Sequence, residues 1–178
     1  MSRSALGSIL IAIASVAAVA PALADESCVD FKWDVSQERA LFGGSATPLA
    51  AGADAKSAPL MQLNHLYELK LAAQERVSFA ATPGKQSPRE GSHGGLVTFK
   101  ILGDGSYRVA IDMPFWIDVV SNGALVAAID FQGQHGCASP HKIVVFDLKG
   151  RRPFFLQLSN AAPQSVRLTI TATPARKL

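Results

Sequence analysis

From residue 64 onward the sequence alternates between apolar and polar side chains, and this pattern constrains the fold more than any other feature. Tyr67, Leu69 and Leu71 alternate with Glu68 and Lys70, as a half-buried strand requires. Similar runs predict strands at 77–81, 97–101, 107–111, 116–121, 124–131, 143–148, 154–158 and 166–173. Many short strands without a long helical period predict an all-β fold, an antiparallel β-sandwich or jelly roll of about nine strands, because two sheets must cover each other's apolar faces.

Two sets of turn residues predict hairpins within this region. Asn122-Gly123 is the dipeptide best able to take the positive φ angles of a two-residue turn, so the strands on either side are expected to pair. Gly103-Asp104-Gly105 predicts a second tight hairpin, between the strands at 97–101 and 107–111.

The segment before the strands has a different pattern. Residues 30–42 predict a short helix, in which Asp34 caps the N-terminus and Gln37 completes a capping box. Gly43-Gly44 is expected to end it. Residues 43–62 are rich in Ala, Gly, Ser and Pro and predict an irregular segment with at most a short extended piece.

The first 24 residues predict a cleaved signal peptide. Arg3 precedes an apolar run, and Ala22-Leu23-Ala24 provides the small residues of a cleavage site. The run is too short to span a membrane, so a periplasmic or secreted protein is expected. The predicted organisation is a signal peptide at 1–24, a helix and irregular segment at 25–62, and a β-sandwich domain at 63–178.

Charge argues against nucleic acid as a partner. The chain has 17 basic and 14 acidic residues with the two signs interspersed, which does not form a basic surface for a polyanion. A small molecule, a glycan or an envelope protein is the expected class of partner, and no cofactor is expected.

The two cysteines, Cys28 and Cys137, predict one disulfide, because paired cysteines in an exported chain are usually joined. A second interpretation comes from His135 and His141 on either side of Cys137. A thiolate with two imidazoles suits zinc or copper, but a disulfide removes that thiolate, so the two interpretations exclude each other. The disulfide is the favoured one.

Several segments carry a resemblance to known families. Residues 67–71, 105–109, 156–159 and 166–170 resemble the strand layout of bacterial pre-peptidase C-terminal domains, which implies a secreted β-sandwich accessory or binding module. The Trp-Asp-Val-Ser start of residues 33–42 and the Trp-Ile-Asp-Val-Val strand at 116–120 are similar to a family of small exported alphaproteobacterial proteins, some labelled homogentisate dioxygenase.

The residues do not support the dioxygenase label. Such an enzyme holds non-haem iron through two histidines and a carboxylate. No His-x-His or His-x-x-x-x-x-Glu grouping occurs among the four histidines, which are His65, His93, His135 and His141. Three aspartates are interpreted as outward-facing strand residues; they are Asp112, Asp118 and Asp130. Ser92 and His93 are interpreted as loop residues, because no nucleophile-elbow motif is present.

Candidate ligand-binding residues lie in a long loop and near one tryptophan. Residues 82–95 consist mainly of Gly, Ser, Pro and charged residues, so an exposed, mobile loop is expected, and Lys85, Arg89 and His93 offer donors to an anionic or hydroxyl-rich ligand. Trp116 suits a stacking platform if it is exposed, although core packing is expected for it and for Trp33.

These observations favour an exported, non-catalytic binding or interaction module over a metal-dependent enzyme. They also give a geometric condition. The binding site is expected at one end of the sandwich if the 82–95 loop and the Cys137 loop lie there together.

Overall fold

Two β-sheets pack face to face in the computed structural model, which describes residues 31–134, 137 and 139–173. One helix, α1 (Ser36–Phe42), precedes the strands. The strands are β1 (Thr47–Ala50), β2 (Leu60–Met61), β3 (Tyr67–Lys70), β4 (Ala72–Ala73), β5 (His93–Phe99), β6 (Gly105–Ile111), β7 (Trp116–Ser121), β8 (Ala124–Val126), β9 (Ala128–Gly133), β10 (Lys142–Leu148), β11 (Phe154–Ala161) and β12 (Ser165–Ala172). Sheet I has the order β1-β3-β12-β6-β10-β9, and sheet II has the order β2-β5-β11-β7-β8, with β4 also paired to β5.

This architecture confirms the predicted all-β sandwich with a short N-terminal helix. Twelve strands are described instead of the predicted nine. The short strands β1, β2 and β4 lack a clear alternation, the predicted strand at 124–131 is divided into β8 and β9, and the predicted strand at 77–81 is absent from the described structure. Both sheets are mixed, since β1 is parallel to β3 and β2 is parallel to β5. Residues 43–62 therefore contribute a strand to each sheet.

The core lies between the two sheets and follows the alternation of the strands. On β11, Leu156 and Leu158 are buried in it, while Gln157 and Ser159 lie on the outer face of sheet II. A second apolar cluster forms where α1 covers the outer face of sheet I, with Phe42 packed near Ile143 and Val145. Trp33 packs against this second cluster, as expected.

The start of α1 differs from the predicted capping box. Asp34 Oδ1 accepts a hydrogen bond from the Ser36 backbone at 2.9 Å, but Val35 occupies the N-cap position and provides no side-chain cap. Gln37 donates to the side chain of Asn64 at 3.0 Å, so its amide serves a tertiary contact instead of the helix start. Gly43 ends the helix, as predicted.

One predicted hairpin is confirmed and the other is wrong. Asn122 and Gly123 have φ angles of 52° and 76° and join the antiparallel pair β7 and β8. By contrast, β5 lies in sheet II and β6 in sheet I, so residues 100–104 form a connection between sheets. The Tyr107 hydroxyl donates to the Gly103 carbonyl at 2.7 Å and accepts from the Leu102 amide at 3.2 Å. These bonds replace the strand ladder that a hairpin would have.

The predicted strand at 77–81 is also wrong. Residues 77–86, here called the strap, run over the outer face of sheet II without joining a ladder. The Gln157 side chain donates to the Ala81 carbonyl at 3.0 Å and lies 3.4 Å from its amide, and the Ser78 amide donates to Ala53. A side chain on the sheet thus satisfies backbone groups that a neighbouring strand would otherwise pair.

No helix in the described part of the chain is long and apolar enough to cross a membrane.

Candidate functional site

Residues 87–92, which follow the strap, lie at the same end of the sandwich as the loop containing Cys137. The predicted exposed loop at 82–95 is wrong at its C-terminal end, because Ser92 is buried and residues 93–95 belong to β5. In sheet II, His93 at the start of β5 and Trp116 at the start of β7 pair with Ala161 and Ser159 near the end of β11. In sheet I, Lys142 at the start of β10 pairs with Ile111 at the end of β6.

Because residues 112–115 connect the end of β6 directly to the start of β7, these strand ends belong to one end of the molecule. The geometric condition set by the sequence is met.

A cleft of about 780 Å³ opens at this end. It is lined by residues 73–75, Phe79, Thr82, Pro83 and 85–93. The predicted binding residues Lys85, Arg89 and His93 all belong to this lining, but Trp116 does not. A cleft of this size falls in the range that accommodates small ligands.

The surroundings of His93 determine which of its two ring nitrogens carries the proton in the neutral ring. Nδ1 lies 2.8 Å from the Ala162 carbonyl, which only accepts hydrogen bonds. Nδ1 therefore carries a proton, and in the neutral ring Nε2 is an acceptor. This arrangement orients a half-buried imidazole at the wall of the cleft.

Ser92 is the buried polar residue of the cleft lining. It is 3% exposed, and its Oγ has no hydrogen-bond partner among the described residues. Its backbone is held by the Arg89 carbonyl and the Gln74 amide, at 3.1 and 2.9 Å. An unpartnered buried hydroxyl costs about 1–3 kcal/mol, which a ligand hydrogen bond would recover.

The charged residues of the cleft are exposed and of both signs. Lys85 and Arg89 face solvent, as do Glu75 and Glu90. The three ion pairs of the described residues are Lys32–Asp130, Arg108–Glu38 and Arg167–Asp112. The cleft charges take part in none of them, so they remain available to a ligand.

Trp116 lies on the outer face of sheet II and is 37% exposed, so the expectation that it packs in the core is wrong. Ile117 and Val119 face the core, and this phase of β7 turns Trp116 and Asp118 outward. Phe115, which precedes the strand, is fully buried instead. Sequence alternation identified two faces of β7 but not which one Trp116 occupies.

Asp118 connects the strap to Trp116. Its carboxylate accepts hydrogen bonds from the Trp116 Nε1 at 2.9 Å and from the Gly84 amide at 3.0 Å. A Cβ on Gly84 would lie 2.9 Å from Asp118 Oδ1 and 3.2 Å from Trp116 Nε1. Glycine at this position therefore lets the strap approach the sheet closely.

Lys142 is a half-buried cation at the same end. Its Nζ donates to the Phe115 carbonyl at 3.2 Å and lies 5.4 Å from the centre of the Trp116 ring. Burial lowers the pKa of Lys142, and the positive charge of Lys85 lowers it further, whereas Asp118 acts in the opposite direction. No sequence pattern singles out Lys142, because only the fold brings it to Trp116.

Among the described residues, the other candidate groups lie apart from one another. Asp112 pairs with Arg167 and Asp130 with Lys32, so these carboxylates do not join Asp118. Within the described residues, no three histidines, cysteines or carboxylates are grouped to hold a metal ion.

Three of the four histidines fall within the described residues, and they occupy different places. His65 hydrogen-bonds to the Thr47 hydroxyl at 2.7 Å, His93 lines the cleft, and His141 lies just before β10. His135 of the proposed metal pair is outside the described residues.

Cys137 is buried, and no described cysteine is a free thiol. Its predicted partner, Cys28, lies outside the described residues. The Cys28–Cys137 disulfide therefore stays a prediction.

No protein-family model and no curated protein matches this sequence. The resemblances noted above thus depend on the residues that carry them.

Proposed function

We propose that this protein is an exported, non-catalytic binding module that holds a small anionic or hydroxyl-rich molecule in the cleft beside the strap. The observation that carries the proposal is Ser92, a residue of the cleft lining whose buried Oγ has no hydrogen-bond partner among the described residues. Buried hydroxyls are almost always hydrogen-bonded, so an unpartnered one beside a cleft supports a role in ligand binding.

The surrounding side chains provide complementary chemistry for such a ligand. Ser92 Oγ offers a donor and an acceptor, and His93 Nε2 accepts from a ligand hydroxyl. Lys85 and Arg89 offer charged donors, which bind carboxylates and sugar hydroxyls strongly. Phe79 adds an apolar surface at the wall.

The proposal includes export of the protein and a disulfide bond between Cys28 and Cys137. A signal peptide at 1–24 would deliver the mature chain to the periplasm or the medium, where a Cys28–Cys137 bridge forms. That bridge would connect the mature N-terminus to the Cys137 loop, at the end of the sandwich that carries the cleft. The family proposed from the sequence, of exported β-sandwich proteins, is consistent with this organisation.

A ligand screen followed by nuclear magnetic resonance tests the proposal. The mature protein is titrated with glucose, glucuronate and inorganic phosphate, and backbone and side-chain shifts are followed. We expect at least one compound to shift Ser92, His93 and Arg89 together, because all three line the cleft.

Arg89→Ala should weaken that binding about tenfold, which corresponds to about 1.4 kcal/mol. Arg151→Ala is the matched control, since Arg151 is exposed in the loop after β10, at the opposite end of the sandwich. Binding that responds equally to both variants, or a screen in which no compound shifts the cleft residues, would contradict the proposal.

A further inference from the structure

We propose that Lys85 and Lys142 together bind an anionic group of the ligand beside Trp116, so that the ligand carries a carboxylate or a phosphate. This inference rests on the proposed binding function and specifies its ligand class. It also adds Lys142, which does not line the cleft, to the binding residues.

The first step is the position of the Lys142 ammonium and of the Lys85 backbone beside the Trp116 ring. The Lys142 ammonium lies over the Trp116 ring at 5.4 Å. A Cβ built on Gly84 comes within 3.2 Å of the Trp116 nitrogen, and Lys85 follows Gly84 directly. The Lys85 carbonyl accepts a hydrogen bond from Asn160 at 2.8 Å, which fixes its backbone against β11.

The second step is the lack of an ion-pair partner for either lysine in the described structure. Neither Lys85 nor Lys142 belongs to the three ion pairs of the described residues. Asp118 is the carboxylate that raises the pKa of Lys142, and it accepts hydrogen bonds from Gly84 and Trp116. The carboxylate that acts on Lys142 is therefore already hydrogen-bonded to other groups.

The third step concerns the donors of Lys142. An ammonium has three N–H groups, and the Phe115 carbonyl is its one hydrogen-bond acceptor among the described residues. Burial disfavours the charged form, as the lowered pKa of Lys142 indicates. A bound anion would reverse this, because it accepts the remaining hydrogen bonds and offsets the charge of Lys85.

The fourth step relates this anion site to the cleft. Lys85 lines the cleft and is also close enough to Lys142 to influence its titration. A ligand with its neutral part at Ser92 and His93 would place its anionic end toward Lys85. Glu75 and Glu90 offset the positive charge of Arg89 within the cleft, whereas Lys85 and Lys142 together exceed the single carboxylate of Asp118 beside Trp116 by one positive charge.

Binding of inorganic phosphate, acetate and glucuronate to the mature protein tests the inference, with the Trp116 indole resonance as the readout. We expect each anion to shift this resonance and glucose to leave it unchanged. Lys85→Gln and Lys142→Gln should each weaken glucuronate binding about tenfold, whereas Lys142→Arg should retain it because the charge is kept. Lys100→Gln is the matched control, since Lys100 is exposed just after β5, at the opposite end.

The outcomes separate this inference from the binding function itself. If glucose shifts Ser92 and His93 but no anion shifts the Trp116 indole, the two-lysine site is wrong and the cleft stands. If no compound shifts any of these residues, both proposals are wrong. An equal loss in Lys100→Gln and Lys142→Gln would show non-specific attraction and overturn the site.

Sedimentation with lipid vesicles distinguishes a lipid headgroup from a soluble anion as the ligand. Lys85- and Lys142-dependent sedimentation with phosphatidylglycerol vesicles, but not with phosphatidylcholine vesicles, would support a lipid headgroup. Binding of glucuronate or phosphate without vesicle binding would support a soluble ligand.

Discussion

The ion pair of Glu38 and Arg108 joins α1 to the outer face of sheet I. Arg108 Nη1 lies 3.5 Å from Glu38 Oε1, and both residues are buried. The Thr171 hydroxyl donates to the same carboxylate oxygen at 2.6 Å, and Arg108 donates to the Asp34 carbonyl at 2.7 Å. Glu38 Oε2 and Arg108 Nε have no hydrogen-bond partner among the described residues. The cluster is thus strongly dependent on having both charges present.

Replacing Arg108 by Met should lower the free energy of unfolding by about 3–5 kcal/mol, because the Glu38 carboxylate would be left buried without its counter-charge. Urea denaturation measures this loss. Lys32→Met, which breaks the exposed pair of Lys32 and Asp130, is the control and should cost at most about 1 kcal/mol. Similar costs for the two variants would mean that the buried charge is accommodated in another way.

At the scale of elements, the strap depends on the small size of Gly94. The Phe79 ring lies over this residue on the outer face of sheet II, and a Cβ there would come within 3.0 Å of the ring and 2.8 Å of the Leu158 carbonyl. The ring can shift, but the backbone carbonyl belongs to a paired strand. Glycine at this position therefore lets Phe79 and β11 both pack closely.

Gly94→Ala should lower the free energy of unfolding by about 1–3 kcal/mol, because an overpacked site forces the strap or β11 to move. Chemical denaturation measures the change, and the Ala81 amide resonance reports displacement of the strap. Gly103→Ala is the control, since a Cβ at Gly103 meets no atom within 4 Å. A Gly94→Ala protein as stable as the control would show that the strap is not tightly held.

At the scale of the whole molecule, the predicted disulfide would close a loop that includes most of the sandwich. Cys137 is buried near the cleft end and is not a free thiol. Linking it to Cys28 would restrict the unfolded chain over about 110 residues, which is worth about 4–5 kcal/mol in the chain-entropy model.

Thiol titration of the denatured, unreduced mature protein should therefore detect no free thiol, and reduction should lower the free energy of unfolding. Cys28→Ser and Cys137→Ser should have similar effects, because each removes the same bond. Two free thiols, or zinc or copper that is lost in Cys137→Ser, would instead favour the metal interpretation with His135 and His141.

The sequence by itself determined the fold class, the positions of most strands and the composition of the cleft loop. Period-two alternation is a local property of a half-buried strand, so β3, β6, β10, β11 and β12 follow from it directly. The Asn122-Gly123 turn is local as well, because its φ angles are set by two residues. Lys85, Arg89 and His93 could be proposed for the same reason, since they lie in one segment.

Only the tertiary structure decided the sheet that each strand joins, the path of the strap and the neighbours of Trp116. Strand pairing joins residues far apart in the chain, and alternation does not specify the partner, so the expected hairpin at Gly103–Gly105 was wrong. The same limit applies to Lys142, which reaches Trp116 because β10 starts where β7 starts. An isolated sequence pattern carries no information about such a contact until both sheets are in place.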